Sequence, residues 1–192
     1  ERSSGLEISS ALVSLAGSHV SAINSRGVVG INGGVIDEED VARALEAAQA
    51  VAMPHNREVI HVIQRGFTVD GQDGIHMPVG FSGFRLEVEA HIITAASATV
   101  ENLRNCVQGC GVEVLSFVLN PLASAEAVLD KTEREMGVCI CDIGGGTTDL
   151  AMYINGDVWH TSVLPIGGNL ITQDISIGMR ISPDQAEQIK LK

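Results

Sequence analysis

The residues best suited to chemistry lie in one run, Asp142-Ile143-Gly144-Gly145-Gly146-Thr147-Thr148. Glycines allow a tight turn that leaves backbone N–H groups free to point at one anion, and threonine hydroxyls are further donors at the same place. A carboxylate beside them can hold a metal ion or its water. The run therefore predicts Mg²⁺ at Asp142 and a nucleotide phosphate on Gly144, Gly145, Gly146, Thr147 and Thr148. A glycine turn in a tight hairpin is the alternative interpretation.

Two strands must position this run. Residues 137–143 and 150–154 are apolar stretches typical of buried strands, and Asn155-Gly156 is a strong hairpin signal before a third strand, 157–164. The glycines thus join strand to strand in a β-meander. The sequence has no G-x-x-x-x-G-K-[ST] motif, which excludes a P-loop. No G-x-G-x-x-G opens a helix after a strand, so a dinucleotide-binding fold is unsupported.

The run and its surroundings resemble a known family. D-I-G-G-G-T-T-D-L-A before a hairpin resembles the second phosphate loop of the actin, Hsp70 and sugar-kinase superfamily. Residues 61–93, from H-V-I-Q-R-G-F-T-V-D-G-Q-D-G onward, closely resemble the inserted subdomain of FtsA, the bacterial cell-division actin homologue. The segments N-P-L-A-S-A-E (120–126) and H-T-S-V-L-P-I-G-G-N (160–169) fit the same family. The resemblance covers nearly the whole chain.

The resemblance implies the fold: an α/β, actin-like (ribonuclease-H-like) ATPase core fragment with an inserted small α/β subdomain. Residues 1–16 would be a first-lobe core strand, 17–92 the inserted subdomain, 93–135 first-lobe core, and 136–192 the start of the second lobe with its phosphate loop. The chain begins without Met and ends inside a helical pattern, so we expect an excerpt of a longer protein. The first phosphate loop would lie before Glu1, and the excerpt alone should bind ATP poorly.

Two further groups of residues are candidates for nucleotide binding. Gly167, Gly168 and Asn169 open a predicted helix, where free N–H groups and missing Cβ atoms permit close approach of a nucleotide. A plain helix-entry turn is the alternative. Glu187 and Lys190 lie three apart on one helix face and match, by resemblance, the pair that touches ribose and base in related ATPases. A solvated ion pair is the alternative.

Asn120 departs from the family pattern, in which Glu commonly stands near the γ-phosphate. An amide can orient a water molecule by hydrogen bonding but cannot accept its proton. We therefore expect a weak ATPase at most, with Asn120 as the water-orienting residue. In the resemblance, Asp142 matches the residue that contacts the hydration shell of Mg²⁺.

The implied function is that of a cytoplasmic, ATP-binding division protein at the inner face of the cell membrane. It would form filaments with itself, tether the FtsZ ring, and recruit later division proteins through residues 17–92. Its membrane anchor would be a C-terminal helix that this chain does not contain. A PilM-like pilus assembly protein and a sugar or acetate kinase of the same superfamily are the alternatives.

Composition agrees with a globular protein. The formal net charge of −12 argues against nucleic acid and against direct adsorption to an anionic membrane. Local patterns predict a hairpin from 19–24 and 27–32, a helix capped by Asp37, and a loop over 70–83. Residues 84–92 alternate apolar and charged side chains, which predicts a half-buried strand with His91 on its polar side, facing solvent or a surface partner.

Overall fold

The computed structural model describes residue 5, residues 7–50 and residues 54–192. The predicted first-lobe range 1–16 thus lies partly outside the described residues. The described strands are β1 (Ser10–Leu15), β2 (Ser21–Gly30), β3 (Arg57–Val69), β4 (Gln72–Ile75), β5 (Arg85–Ala96), β6 (Glu113–Leu119), β7 (Val138–Ile143), β8 (Thr148–Ile154) and β9 (Asp157–Leu164). The described helices are α1 (Glu38–Gln49), α2 (Ser97–Gln108), α3 (Asn120–Val128), α4 (Lys131–Met136), α5 (Gly168–Met179) and α6 (Pro183–Lys190).

Four antiparallel strands in the order β2-β5-β3-β4 form a sheet that α1 covers on one face, and we call this unit the α1-covered sheet. Asp37 caps α1: its side chain accepts from the Asp40 N–H, and the Asp40 side chain accepts from the Asp37 N–H. The two hydrogen bonds form a capping box. The predicted hairpin at 19–32 is wrong, because residues 21–30 form the single strand β2. Gly27 lies in its middle, where a Cβ would stand 1.9 Å from the carbonyl oxygen of Ala44 in α1. This glycine permits helix packing, not a turn.

The parallel pair β1–β6 and helix α2 enclose a second core. Its fully buried members include Leu15, Val100 and Leu119. Strand β5 reaches into this core with Ile93 and Ala95, so one long strand belongs to both units. Burial of aliphatic side chains on this one strand stabilises both units.

The third sheet is the antiparallel series β7-β8-β9, which we call the meander. Asn155 (φ 54°) and Gly156 (φ 88°) make the predicted two-residue turn between β8 and β9. Helix α3 packs against the meander, with Ala125 buried beside Tyr153. The meander therefore has the order and the turn that the sequence predicts, and the fold is mixed α/β.

Two details differ from the sequence-based expectations. The loop predicted over 70–83 contains strand β4. His91 is not on a solvent side, since it is only 1% exposed. Its face of β5 is covered near His91 by β9, a strand from a distant part of the sequence. None of the helices in the described residues is long and apolar enough to cross a membrane.

Candidate functional site

The bend between β7 and β8 is open to solvent. Its first N–H, from Gly144, donates to the carbonyl of Thr147 at 2.8 Å and closes the turn. The glycines 144–146 are exposed, and within the described residues the amides of Gly145, Gly146 and Thr147 donate to no protein acceptor. Three adjacent donors are therefore available to an anion.

The direction of two of these amides follows from the start of α5. Gly168 N–H donates to the carbonyl of Gly144 at 2.9 Å, and Asn169 N–H donates to the carbonyl of Gly145 at 2.8 Å. The described residues contain no cis peptide bond, so each N–H points opposite to the carbonyl of the same peptide unit. The N–H groups of Gly145 and Gly146 consequently both point away from α5. They form a small donor surface on the open side of the bend.

Gly167 brings the two segments together. A Cβ at Gly167 would lie 2.6 Å from the carbonyl oxygens of both Gly144 and Gly145, so only glycine fits. The side-chain amide of Asn169 also lies against Gly145, 3.3 Å from an ideal Cβ there. The amides of Gly168 and Asn169, candidates for direct nucleotide contact, are used to hold the bend.

The two threonine hydroxyls are already engaged. Thr147 Oγ1 donates to Asp149 Oδ2 at 3.0 Å, and Thr148 Oγ1 donates to the carbonyl of Ile166 at 2.7 Å. Each hydroxyl has one proton, so in this geometry the threonines fix the shape of the bend while the amides remain free.

Asp149 is a member of the site that sequence reasoning missed. It lies directly opposite Asp142 on the neighbouring strand and is 3% exposed, and among the described residues its Oδ1 has no hydrogen-bond partner. Burial raises the pKa of the Asp149 carboxyl, and the nearby Asp142 charge adds to the rise. The sequence feature that could have indicated this role is the position of Asp149 directly after the two threonines.

Asp142 is positioned by helix α3. Ser124 Oγ donates to Asp142 Oδ2 at 2.8 Å, and Oδ1 accepts no hydrogen bond within the described residues. Asn120 begins α3 and stands four residues before Ser124, so both lie on one face of the helix. Sequence reasoning assigned no role to Ser124, because its contact with Asp142 depends on the packing of α3.

Glu187 and Lys190 tie α6 to the start of α5. Lys190 Nζ lies 2.6 Å from Glu187 Oε2, and it donates to Thr172 Oγ1 at 2.9 Å and to the carbonyl of Gly168 at 3.2 Å. Glu187 also accepts from the Thr172 hydroxyl. The hydrogen bond from Lys190 is the largest of the effects that lower the pKa of Glu187. The pair is therefore a support for α5 as well as an ion pair.

These residues suit a hard cation that is bound through water molecules. The described residues contain no cluster of three or more His, Cys, Asp or Glu side chains that could hold a metal. A single carboxylate with one oxygen unengaged, as at Asp142, suits Mg²⁺, which keeps most of its waters and takes further oxygens from phosphate. The arrangement can thus bind a phosphate on amides with the cation beside it.

Comparison with known protein families gives two matches. Residues 17–94 match the family described as the SHS2 domain inserted in FtsA. Residues 139–192 match the family described as cell division protein FtsA. Together the two matches cover well over half of the chain, including the α1-covered sheet and the glycine bend.

Individual relatives point the same way. The cell division protein FtsA of Pseudomonas aeruginosa is 42% identical over 100% of this chain and 46% of the relative. The FtsA protein of Borreliella burgdorferi is 48% identical over 98% of this chain and 46% of the relative. The chain thus spans less than half the length of these relatives. A solved structure, the PilM-PilN type IV pilus biogenesis complex, aligns with TM-score 0.64 and 17% identity over 94% of this chain and 50% of its own, which shows a shared fold.

Proposed function

Because the chain belongs to the FtsA family of cell-division proteins, we propose that its glycine bend binds the phosphates of ATP together with Mg²⁺. The fold is that of an actin-like α/β core fragment with an SHS2 subdomain inserted, as the resemblance implied. The comparisons therefore show the family and the fold. The nucleotide, the cation and the partners are the proposal.

The observation that supports nucleotide binding is the parallel direction of the Gly145 and Gly146 amides. Two N–H groups that point to the same open side match the oxygens of one phosphate. The start of α5 donates to the carbonyls of the same peptide units and so increases the positive charge of their N–H ends. Glycine at both positions lets the phosphate approach the backbone closely.

Mg²⁺ would be held through water by Asp142, with Ser124 fixing the carboxylate. When bound, the ion would neutralise charge on the terminal phosphates. Asn120, on the same face of α3, would orient a water molecule without removing its proton. Hydrolysis would then be slow, and ATP would act chiefly as a conformational ligand. Glu187 and the exposed side of α6 would adjoin the ribose and base, with Lys190 holding the start of α5.

The division role comes from the family. The whole protein would assemble into filaments with itself, tether FtsZ, and bind later division proteins through residues 17–92. It would lie at the inner face of the cell membrane, held there by a helix. The ranges 1–16, 93–135 and 136–192 would supply the first-lobe strand, the first-lobe core and the start of the second lobe.

A titration of the full-length protein with a fluorescent ATP analogue, with and without Mg²⁺, tests nucleotide binding. Saturable binding that Mg²⁺ strengthens is the expected result. Competition by unlabelled ATP, but not by free phosphate at the same concentration, would show that the whole nucleotide is recognised. Absence of saturable binding would refute the proposal.

A further inference from the structure

His91 is a buried titratable side chain that the nucleotide site does not use. It lies on β5 of the α1-covered sheet, on the face opposite α1. Nδ1 lies 2.6 Å from Asn24 Oδ1 on the adjacent strand β2, and Nε2 lies 2.8 Å from Thr161 Oγ1 on β9 of the meander. The imidazole therefore joins two sheets that belong to different units of the fold.

The hydrogen-bond roles in this chain are fixed by chemistry. Asn24 Oδ1 can only accept, so Nδ1 carries the proton and donates to it. In the neutral ring Nε2 must accept, so the Thr161 hydroxyl donates its proton to Nε2. Burial first, and then the charges of His160 and Arg65, lower the pKa of His91 to about 4. The ring is thus neutral at physiological pH, and both nitrogens are satisfied.

A second contact joins the same two sheets. The guanidinium carbon of Arg65, on β3, lies 3.7 Å from the centroid of the Trp159 ring on β9. A cation over an aromatic face at this distance is attractive. The two contacts are two residues apart on β9, so this strand is held to the α1-covered sheet at two neighbouring points.

The same strand leads to the glycine bend. Leu164, at the end of β9, pairs with Thr148, the first residue of β8. The Thr148 hydroxyl holds Ile166, and Gly167 packs on the bend itself. A phosphate that moved the bend would therefore displace the end of β9, three residues beyond Thr161, through the paired strands and the Thr148–Ile166 hydrogen bond.

We infer that the His91–Thr161 hydrogen bond is a latch through which nucleotide at the bend fixes the α1-covered sheet against the meander. The inference rests on the nucleotide binding proposed above. A latched sheet would present its exposed strand β2 in one orientation when ATP is bound. Without the latch, the Arg65–Trp159 stack and the packing of Ile63 of β3 against the core of the meander would still hold the sheet.

The test compares Thr161→Val with Thr161→Ser in the full-length protein. Valine has nearly the shape of threonine but leaves Nε2 without its donor, while serine keeps the hydroxyl. Hydrogen exchange of residues 21–30 is measured with and without Mg²⁺ and ATP, and ATP affinity is measured on the same samples. In the parent protein and Thr161→Ser, ATP should slow this exchange at least about threefold, and in Thr161→Val the slowing should be lost with ATP affinity kept within about twofold.

Asn24→Ala is a second variant at an exposed position, for the case that Thr161→Val does not fold. It removes the acceptor that orients the ring, and it should reduce the ATP-dependent slowing in the same way. If ATP binds but does not slow exchange in residues 21–30, or slows it equally in Thr161→Val and Asn24→Ala, the latch is refuted and nucleotide binding stands. If the parent protein binds no ATP, both proposals fail.

Discussion

Gly167 and Gly145 are in such close contact that a single added carbon at Gly167 would overlap the carbonyl oxygen of Gly145. The approach lets the first N–H groups of α5 donate to the bend, and this fixes the direction of its free amides. The donor surface therefore depends on a glycine that does not itself face the open side.

Gly167→Ala should weaken ATP binding by about tenfold or more, because the Cβ would push α5 away and release the amides of Gly145 and Gly146. Titration of the full-length variant measures the loss. Gly178→Ala is the matched control on the same helix, where a Cβ would meet no described atom within 4 Å beyond the neighbouring helix backbone. That substitution should leave affinity unchanged and stabilise the helix by about 0.5–1 kcal/mol. Equal affinity in both variants would contradict the proposed packing.

Asp142→Asn should remove the Mg²⁺ dependence of ATP binding while the protein stays folded, because the amide keeps an acceptor for Ser124 but loses the charge. Ser124→Ala should weaken ATP binding in the presence of Mg²⁺ by a smaller factor, on the order of threefold. It removes the hydrogen bond that orients the Asp142 carboxylate but keeps the carboxylate itself. Titrations at several Mg²⁺ concentrations separate the two. An Asp142→Asn protein with the parental Mg²⁺ response would place the cation elsewhere.

Asn120→Glu should raise the rate of ATP hydrolysis, on the order of tenfold or more, because a carboxylate can accept the proton that an amide cannot. Single-turnover hydrolysis by the full-length protein is the measurement, and Asn120→Gln is the control that adds length without a base. A rate equal in all three proteins would show that Asn120 does not face the attacking water.

Lys190→Met should lower the free energy of unfolding by about 1–2 kcal/mol, because Gly168, Thr172 and Glu187 lose a shared donor. Thermal unfolding without nucleotide detects this loss, and ATP titration detects any direct contact. Unchanged stability with weakened ATP binding would contradict the structural role and mean that Lys190 contacts the nucleotide without stabilising the start of α5.

Stability should fall as pH is lowered from about 6.5 towards 4, in part because of His91. Its pKa in the folded chain is about 4, below the value of 6.5 for an exposed imidazole, so only the unfolded chain takes up this proton in that range. The contribution of His91 to the free energy of unfolding is therefore fully present above pH 6.5 and is lost as the pH falls to 4. The Tm of His91→Gln should decline less between pH 7 and pH 5 than that of the parent, and parallel declines would contradict the assignment.

Local signals were sufficient for the elements around the bend. Asn155-Gly156 fixes a turn by its own backbone preferences, and the glycine run between apolar stretches needs no distant partner to be recognised. The hairpin predicted around Gly27 is wrong because this glycine makes room for α1, which packs on it from a later part of the sequence. The exposed position predicted for His91 is wrong because Thr161, 70 residues away in the sequence, packs against it and hydrogen-bonds to its ring. Ser124 and Asp149 gain their roles only when α3 and two paired strands bring carboxylates and hydroxyls together.

The most direct measurement is a crystal structure of the full-length protein with Mg²⁺ and a slowly hydrolysed ATP analogue. We predict phosphate oxygens within about 3.2 Å of the amide nitrogens of both Gly145 and Gly146, with a cation and its waters beside Asp142. A phosphate bound away from these two amides, or amides turned to protein carbonyls in the complex, would contradict it.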